Sequence, residues 1–214
     1  MLVGKWMTPN PVTISEDADI DDALHVMRER RVRRLPVIDE AGQMIGIVSD
    51  KDLLHATPSP VTSLSVHELR YLLAKLTVKK VMSSPVITVT PDMPLEQAAR
   101  IMIDNKIGGL PVVEHGQLVG IITETDIFKV LLNVLGTRTP GIRVTLAVQE
   151  RKGVLAALTH DISAMGANII SLLTSEGELP GERAITIKVN DADPVRLRQV
   201  LERLSARIID FREA

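Results

Sequence analysis

Leu35-Pro36-Val37-Ile38, a turn, and Ile45-Gly46-Ile47-Val48-Ser49-Asp50-Lys51-Asp52-Leu53 form the stretch that decides the fold, because it occurs a second time. The second copy reads Leu110-Pro111-Val112-Val113, a turn, and Val119-Gly120-Ile121-Ile122-Thr123-Glu124-Thr125-Asp126-Ile127. Each copy is an apolar hairpin running into a helix start, with a hydroxyl and a carboxylate three residues apart. Working outward, the register persists at an offset of 75 residues: Met7 meets Met82, Thr13 meets Thr88, Ala23 meets Ala98 and Met27 meets Met102. After a one-residue gap in the turn, Gly46-Ile47 meets Gly120-Ile121 and Asp52 meets Asp126. A register kept through strands, helix and turn means two copies of one structural unit.

Each unit reads β-α-β-β-α. A short β-branched strand is expected over Val12 to Ile14 and over Val86 to Val89. Ile20, Ala23, Leu24 and Met27, and then Leu95, Ala98, Ala99 and Met102, recur at helical spacing. Pro94 suits a first helical turn. The hairpin follows, with a second helix starting near Asp50 or Glu124. Residues 1–60 and 78–135 hold the repeats, and 61–77 a connecting helix whose Leu69, Leu72, Leu73 and Leu76 share one side. Asn133 to Gly141, with two glycines and a proline, marks a boundary.

Residues 141–214 follow a different pattern. Ile142, Val144, Leu146 and Val148 alternate with Arg143, Thr145, Ala147 and Gln149, as in a half-buried strand. A helix with Leu155, Leu158, Ile162 and Met165 ends at Gly166, and strands are expected at Ile169 to Thr174 and Ala184 to Val189. Asp193-Pro194 opens a helix carrying Leu197, Val200, Leu201 and Leu204, before a strand through Ile208, Ile209 and Phe211. The order β-α-β-β-α-β is ferredoxin-like, and the fold class is α+β.

Composition narrows the function classes. The 214 residues are 45% hydrophobic, 24% charged and 2% aromatic, at a net charge of -2, so nothing calls for a nucleic-acid partner. Without cysteine, disulfides and thiolate metal sites are excluded. No apolar run approaches the ~18 residues that span a bilayer, and Met1 to Met7 lacks a signal pattern, so a cytoplasmic protein is expected. His25, His55, His67, His115 and His160 are scattered, with no metal-ligand spacing. No nucleophile–base motif is present, and an enzyme is not expected.

The two repeats resemble a pair of CBS domains, on the Met-Thr-x-x-Pro-Val-Thr start, the Leu-Pro-Val strand and Gly-Ile-(Val/Ile)-(Ser/Thr)-x-x-Asp. The last segment resembles an ACT domain, and the order of the three is similar to that of acetoin utilisation proteins of the AcuB type. The resemblance implies adenosyl-ligand clefts between the repeats, for AMP, ADP, ATP or S-adenosylmethionine, with no cofactor required. Asp52 and Asp126 would hold ribose, and Ser49 and Thr123 would contact ribose or phosphate. Val12-Thr13 and Ile87-Thr88 would flank adenine, and Arg33 and Arg34 could reach phosphate. These roles agree with general chemistry. A carboxylate just inside a helix accepts from ribose hydroxyls, a helix start favours phosphate, and arginine is a forked donor.

Ser49-x-x-Asp52 and Thr123-x-x-Asp126 also fit a capping box, which needs no ligand. Where the first repeat has Arg33-Arg34, the second has Gly108-Gly109: either a solvated pair beside a flexible strand start, or two clefts of different charge preference. In the ACT-like part the implied ligand residues are Glu150, Gly153 and Asn168, although Lys152 replaces the usual proline and Val148 stands where a polar contact can occur. The expected function is a non-catalytic sensor, with the last domain as second ligand site or dimerisation element. It would act as a homodimer on a regulated enzyme or pathway protein. The alternative is an interaction protein with unoccupied sites that regulates a partner enzyme by association.

Overall fold

The structure, a computed structural model, describes residues 1–56, 76–203 and 206–214. The chain divides into two compact units, Met1–Ile127 and Phe128–Ala214. The connecting helix expected over 61–77 lies outside the described residues apart from Leu76 and Thr77, and so does Leu204.

The first unit contains α1 (Val3–Trp6), β1 (Thr8–Pro9), β2 (Ile14–Ser15), α2 (Ile20–Arg30), β3 (Arg34–Ile38), β4 (Met44–Ser49) and α3 (Asp50–Ala56). After the undescribed stretch come α4 (Val78–Val81), α5 (Leu95–Asn105), β5 (Gly109–Glu114), β6 (Gln117–Thr123) and the start of α6 (Glu124–Val134). The periodicity of α2 and α5 has the expected result: Ile20, Ala23 and Met27, and likewise Leu95, Ala98 and Met102, are buried. Both helices stop at a left-handed residue, Arg31 and Lys106, each at φ 55°. Asp21 and Asp22 lie in the first turn of α2, where negative charge suits the helix dipole. The hairpins pair as the alternation requires, Leu35 opposite Val48 and Leu110 opposite Ile122.

The leading strands are shorter than expected. The first covers Ile14–Ser15, parallel to β3, instead of Val12 to Ile14. In the second repeat only Val89 bridges Val112. The preceding residues Pro85, Val86 and Ile87 line a cavity instead of pairing.

The repeats exchange their leading segments. Residues 1–9 lie on the second repeat: Val3 and Gly4 donate backbone bonds to Met93 and Pro91, Leu95 donates to Met1, and β1 pairs with β6. Residues 76–83 do the same on the first repeat: Val78 and Lys79 donate to Ala18 and Glu16, Ile20 donates to Leu76, and Ser83 bridges Ile47. Val78 is fully buried in the first repeat's core with Ile20, Leu35, Val37, Val48 and Leu53. The repeat signature explains the seat. A Cβ on Gly46 would come within 2.3 Å of Met82 Sδ, and one on Gly120 within 2.4 Å of Met7 Sδ. Each of these in-register glycines therefore leaves the space that the other repeat's methionine fills.

The second unit contains the end of α6, then β7 (Ile142–Gln149), α7 (Val154–Ala164), β8 (Asn168–Glu176), β9 (Glu182–Asn190), α8 (Pro194–Arg203) and β10 (Arg207–Glu213). Its four strands form one sheet in the order β10-β7-β9-β8, every neighbouring pair antiparallel. Ile142, Val144, Leu146, Ile185, Ile187 and Val189 pack with Leu158, Ile162, Leu197 and Leu201 of the two helices. Gly166 takes φ 85° after α7, and Asp193 Oδ1 accepts from Arg196 N at 2.8 Å, as a cap should. Lys188 breaks the apolar alternation. It is 3% exposed, and its ammonium donates to Gly136 O at 3.1 Å, just beyond the C-terminus of α6. A cation there complements the helix dipole.

Asp210 on β10 accepts from Arg212 Nε and Nη2 at 2.8 and 2.6 Å and from Arg143 Nη1 at 2.8 Å. Hydrogen bonding from Arg212, aided by the charges of Arg212 and Arg143, holds its carboxyl below the usual range. A lowered folded-state pKa stabilises above the unfolded value, near 3.9, and the contribution disappears as pH falls through the folded value. Asp210→Asn is therefore expected to flatten the fall in melting temperature as pH drops below about 4, measured by circular dichroism on acidification.

Candidate functional site

The two hydroxyl–carboxylate pairs sit where strand turns into helix. At the first, Asp52 Oδ2 accepts from Ser49 N at 2.8 Å and Ser49 Oγ at 2.6 Å, while Asp52 N donates to Ser49 Oγ at 3.3 Å. At the second, Asp126 Oδ2 accepts from Thr123 N at 3.1 Å and Thr123 Oγ1 at 2.7 Å, and Asp126 N donates to Thr123 Oγ1 at 3.3 Å. Both are completed capping boxes. Both bonds that the Asp52 carboxylate accepts fall on Oδ2, so Oδ1 keeps its lone pairs for a further donor.

The surroundings of the two pairs differ. Ser49 and Asp52 open onto a cavity of about 650 Å³, within the range of small-molecule sites. Arg33 and Arg34 line it from the first repeat, together with Ile87, Lys106, Gly108, Gly109 and Glu124 from the second. The leading-segment exchange puts Ile87 there, because Ser83 is bridged to Ile47 on β4. Asp126 is 9% exposed and, with Val12, Thr13, Thr88 and Thr123, does not contribute to that wall. Val12 packs against the first repeat's core instead.

The cavity wall also holds Lys51, Lys106, Ser83, Pro85, Val86 and Glu124, which motif reading passed over. A signal for Lys106 did exist: it is the register partner of Arg31, and both end their helix in a left-handed conformation. The cations Arg33, Arg34, Lys51 and Lys106 face the carboxylates Asp50, Asp52 and Glu124 around this space. The arrangement can hold a ribose on a carboxylate, a flat apolar ring against Ile87 and Val86, and anionic groups on guanidinium and ammonium.

A second cavity, of about 430 Å³, lies in the second unit between the β7–α7 turn, β8 and β9. Its wall includes Val148, Glu150, Arg151, Gly153, Thr174 and Arg183. Arg183 forms an ion pair with Glu150. Gly153 has φ 88° and precedes α7 with no side-chain cap on the helix. Asn168 is not in this wall; it starts β8 and donates from Nδ2 to Asn190 Oδ1 at 3.1 Å. Among the described residues no His, Asp and Glu cluster could hold a metal, and no helix is long and apolar enough to cross a membrane.

These features define a paired-repeat α+β module with a cavity of ligand size at the junction of its repeats. The chain belongs to the CBS domain family, whose model matches residues 3–59 and 78–133. Among the solved structures it is similar to, three cover 61–65% of this chain. CBSX2 of Arabidopsis thaliana, solved in complex with AMP, is 34% identical at a TM-score of 0.51, over 61% of this chain and 96% of that one. The CBS domain pair of protein MJ0100, in complex with 5′-methylthioadenosine and S-adenosyl-L-methionine, is 26% identical at 0.52, over 65% and 98%. A putative acetoin utilization protein, AcuB, from Vibrio cholerae is 33% identical at 0.53, over 64% and 95%.

Proposed function

We propose that this protein is a non-catalytic sensor that binds an adenine nucleotide or related adenosyl compound in the Ser49–Asp52 cleft. One observation carries the reading: Asp52, Ser49, Arg33, Arg34 and Ile87, drawn from both repeats, line one cavity of ligand size. Asp52 Oδ1 accepts from the ribose, Ile87 lies along the adenine, and the arginines take the phosphate. The adenosyl ligands of CBSX2 and the MJ0100 pair support the ligand class. Thr123 and Asp126, with Val12, Thr13 and Thr88, form the corresponding end of a second cleft of lower occupancy.

The C-terminal unit acts as an ACT domain of ferredoxin-like topology. Its β-α-β-β-α-β order, and the cavity holding Glu150 and Gly153, support that assignment. It supplies a second input for a small amphoteric ligand or a dimer contact. The exposed Phe128, Leu131 and Leu132 on α6 favour a homodimer. A cytoplasmic location and a regulated partner enzyme complete the proposal. Occupancy can shift such a protein only by the difference in ligand affinity between its two states.

A thermal-shift panel of adenosine, AMP, ADP, ATP, NAD and S-adenosylmethionine tests the reading. At 100 times its dissociation constant a ligand stabilises by about 2.7 kcal/mol, or roughly 5–10 °C for a chain of this size. Silence from all six supports regulation by association alone.

A further inference from the structure

In the C-terminal unit Arg143, Arg183, Arg207 and Arg212 each reach a carboxylate. The Arg198 guanidinium lies over the Phe211 ring, 4.5 Å from its centroid. Arg196 and Arg203 on α8 differ: neither side chain has an ion pair, hydrogen bond or ring contact among the described residues. The carboxylate of Asp161 on α7 is half-buried and equally without a partner there. These three groups share one place. Arg196, Gln199, Val200 and Arg203 recur at i, i+3, i+4 and i+7, so they lie on one face of α8, the two arginines about 10 Å apart along its axis. With Asp161, and with Met165 just past the end of α7, that face lines a groove of about 390 Å³, a volume that suits a small molecule. None of these residues belongs to the cavity at Glu150 and Gly153.

We propose that the groove between α7 and α8 is a binding site for a small dicarboxylate. Each guanidinium is a fork that matches the two oxygens of one carboxylate. Two forks two helical turns apart fit two separated carboxylates better than one compact anion. The half-buried Met165 and Val200 give the connecting methylenes an apolar surface to lie on. The Gln199 amide adds a donor. Asp161 limits the charge: two cations face one carboxylate, so a third negative group on the ligand meets repulsion. The site is independent of the adenosyl cleft and adds an input of different chemistry.

The experiment is calorimetric titration of the full chain with glutarate, butyrate, inorganic phosphate and citrate, in wild type, Arg196→Gln, Arg203→Gln and Asp161→Asn. Arg196 and Arg203 are exposed and Asp161→Asn is isosteric, and a melting curve checks that each variant folds. A single exposed ion pair contributes little, so binding depends on both arginines together. Butyrate and phosphate are expected to bind at least about tenfold more weakly than glutarate, and either arginine variant to lower glutarate affinity by about the same factor. Asp161→Asn is expected to tighten glutarate and to tighten citrate more. Wild type that takes up no glutarate overturns the proposal. So do butyrate or phosphate binding as tightly as glutarate, and glutarate affinity unchanged in both arginine variants. A weaker glutarate affinity in Asp161→Asn overturns the role given to that carboxylate. AMP affinity is expected to be the same in all four proteins; wild type that takes glutarate but not AMP overturns the sensor reading and supports this site.

Discussion

Asp52→Ala is expected to reduce affinity for AMP by two orders of magnitude or more. A carboxylate accepting two ribose hydroxyls makes two charge-assisted hydrogen bonds of about 1.5–3 kcal/mol each, and every 1.4 kcal/mol is about tenfold. The same substitution removes a capping box, at roughly 0.5–2 kcal/mol of stability, because Asp52 Oδ2 holds Ser49 N and Oγ. Ser49→Ala separates the two effects: it loses the 2.6 Å hydroxyl bond and keeps the carboxylate. Asp126→Ala provides the contrast, since Asp126 makes an equivalent cap but is not in the cavity wall. Titration should show a collapse of AMP binding in Asp52→Ala, a modest loss in Ser49→Ala, and near wild-type affinity in Asp126→Ala. Equal losses in the two aspartate variants would place the ligand somewhere other than the Ser49–Asp52 cleft.

Val78→Asp is expected to cost on the order of 4 kcal/mol or more, because it buries a charge with no counter-ion in an apolar core. Against a total of about 5–15 kcal/mol that is severe. The core concerned belongs to the first repeat, although Val78 belongs to the second by sequence. Backbone bonds from Val78 to Ala18 and from Lys79 to Glu16 fix it there, and the Lys79–Glu16 ion pair at 2.7 Å flanks it. Ile103→Asp, at a position 75% exposed, should cost under about 1 kcal/mol. Urea unfolding of the two variants measures the difference. Similar midpoints would mean that residues 76–83 do not complete the first repeat's core.

How much of this was legible in the sequence follows from what each residue depends on. Helical periodicity depends on neighbours three and four positions away, and α2, α5, α7 and α8 accordingly lie where the apolar spacing put them. The hairpins were legible for the same reason, since their cross-strand partners are local. The leading strands were overread: β-branched residues at Val86 and Ile87 state a propensity, but tertiary context turned them to the cavity. The segment exchange was half visible, for the methionines and glycines recur in register. Nothing in one dimension says that Met82 fills the space over Gly46 in the other repeat. For the site, Ser49 and Asp52 stood out by their repeated motif and Ile87 by the family resemblance alone, and all three line the cavity. The equality of the two clefts was not decided by pattern, since both caps form alike and only the space beside them differs. Gly108-Gly109 read locally as flexibility; in three dimensions it is room for Arg34.

The central claim is that an adenosyl ligand occupies the Ser49–Asp52 cleft, and a crystal structure of the full chain grown with AMP tests it most directly. The predicted result is ribose within hydrogen-bonding distance of Asp52, adenine along Ile87, and phosphate beside Arg34. AMP bound elsewhere, or the cleft empty with millimolar AMP present, would contradict it.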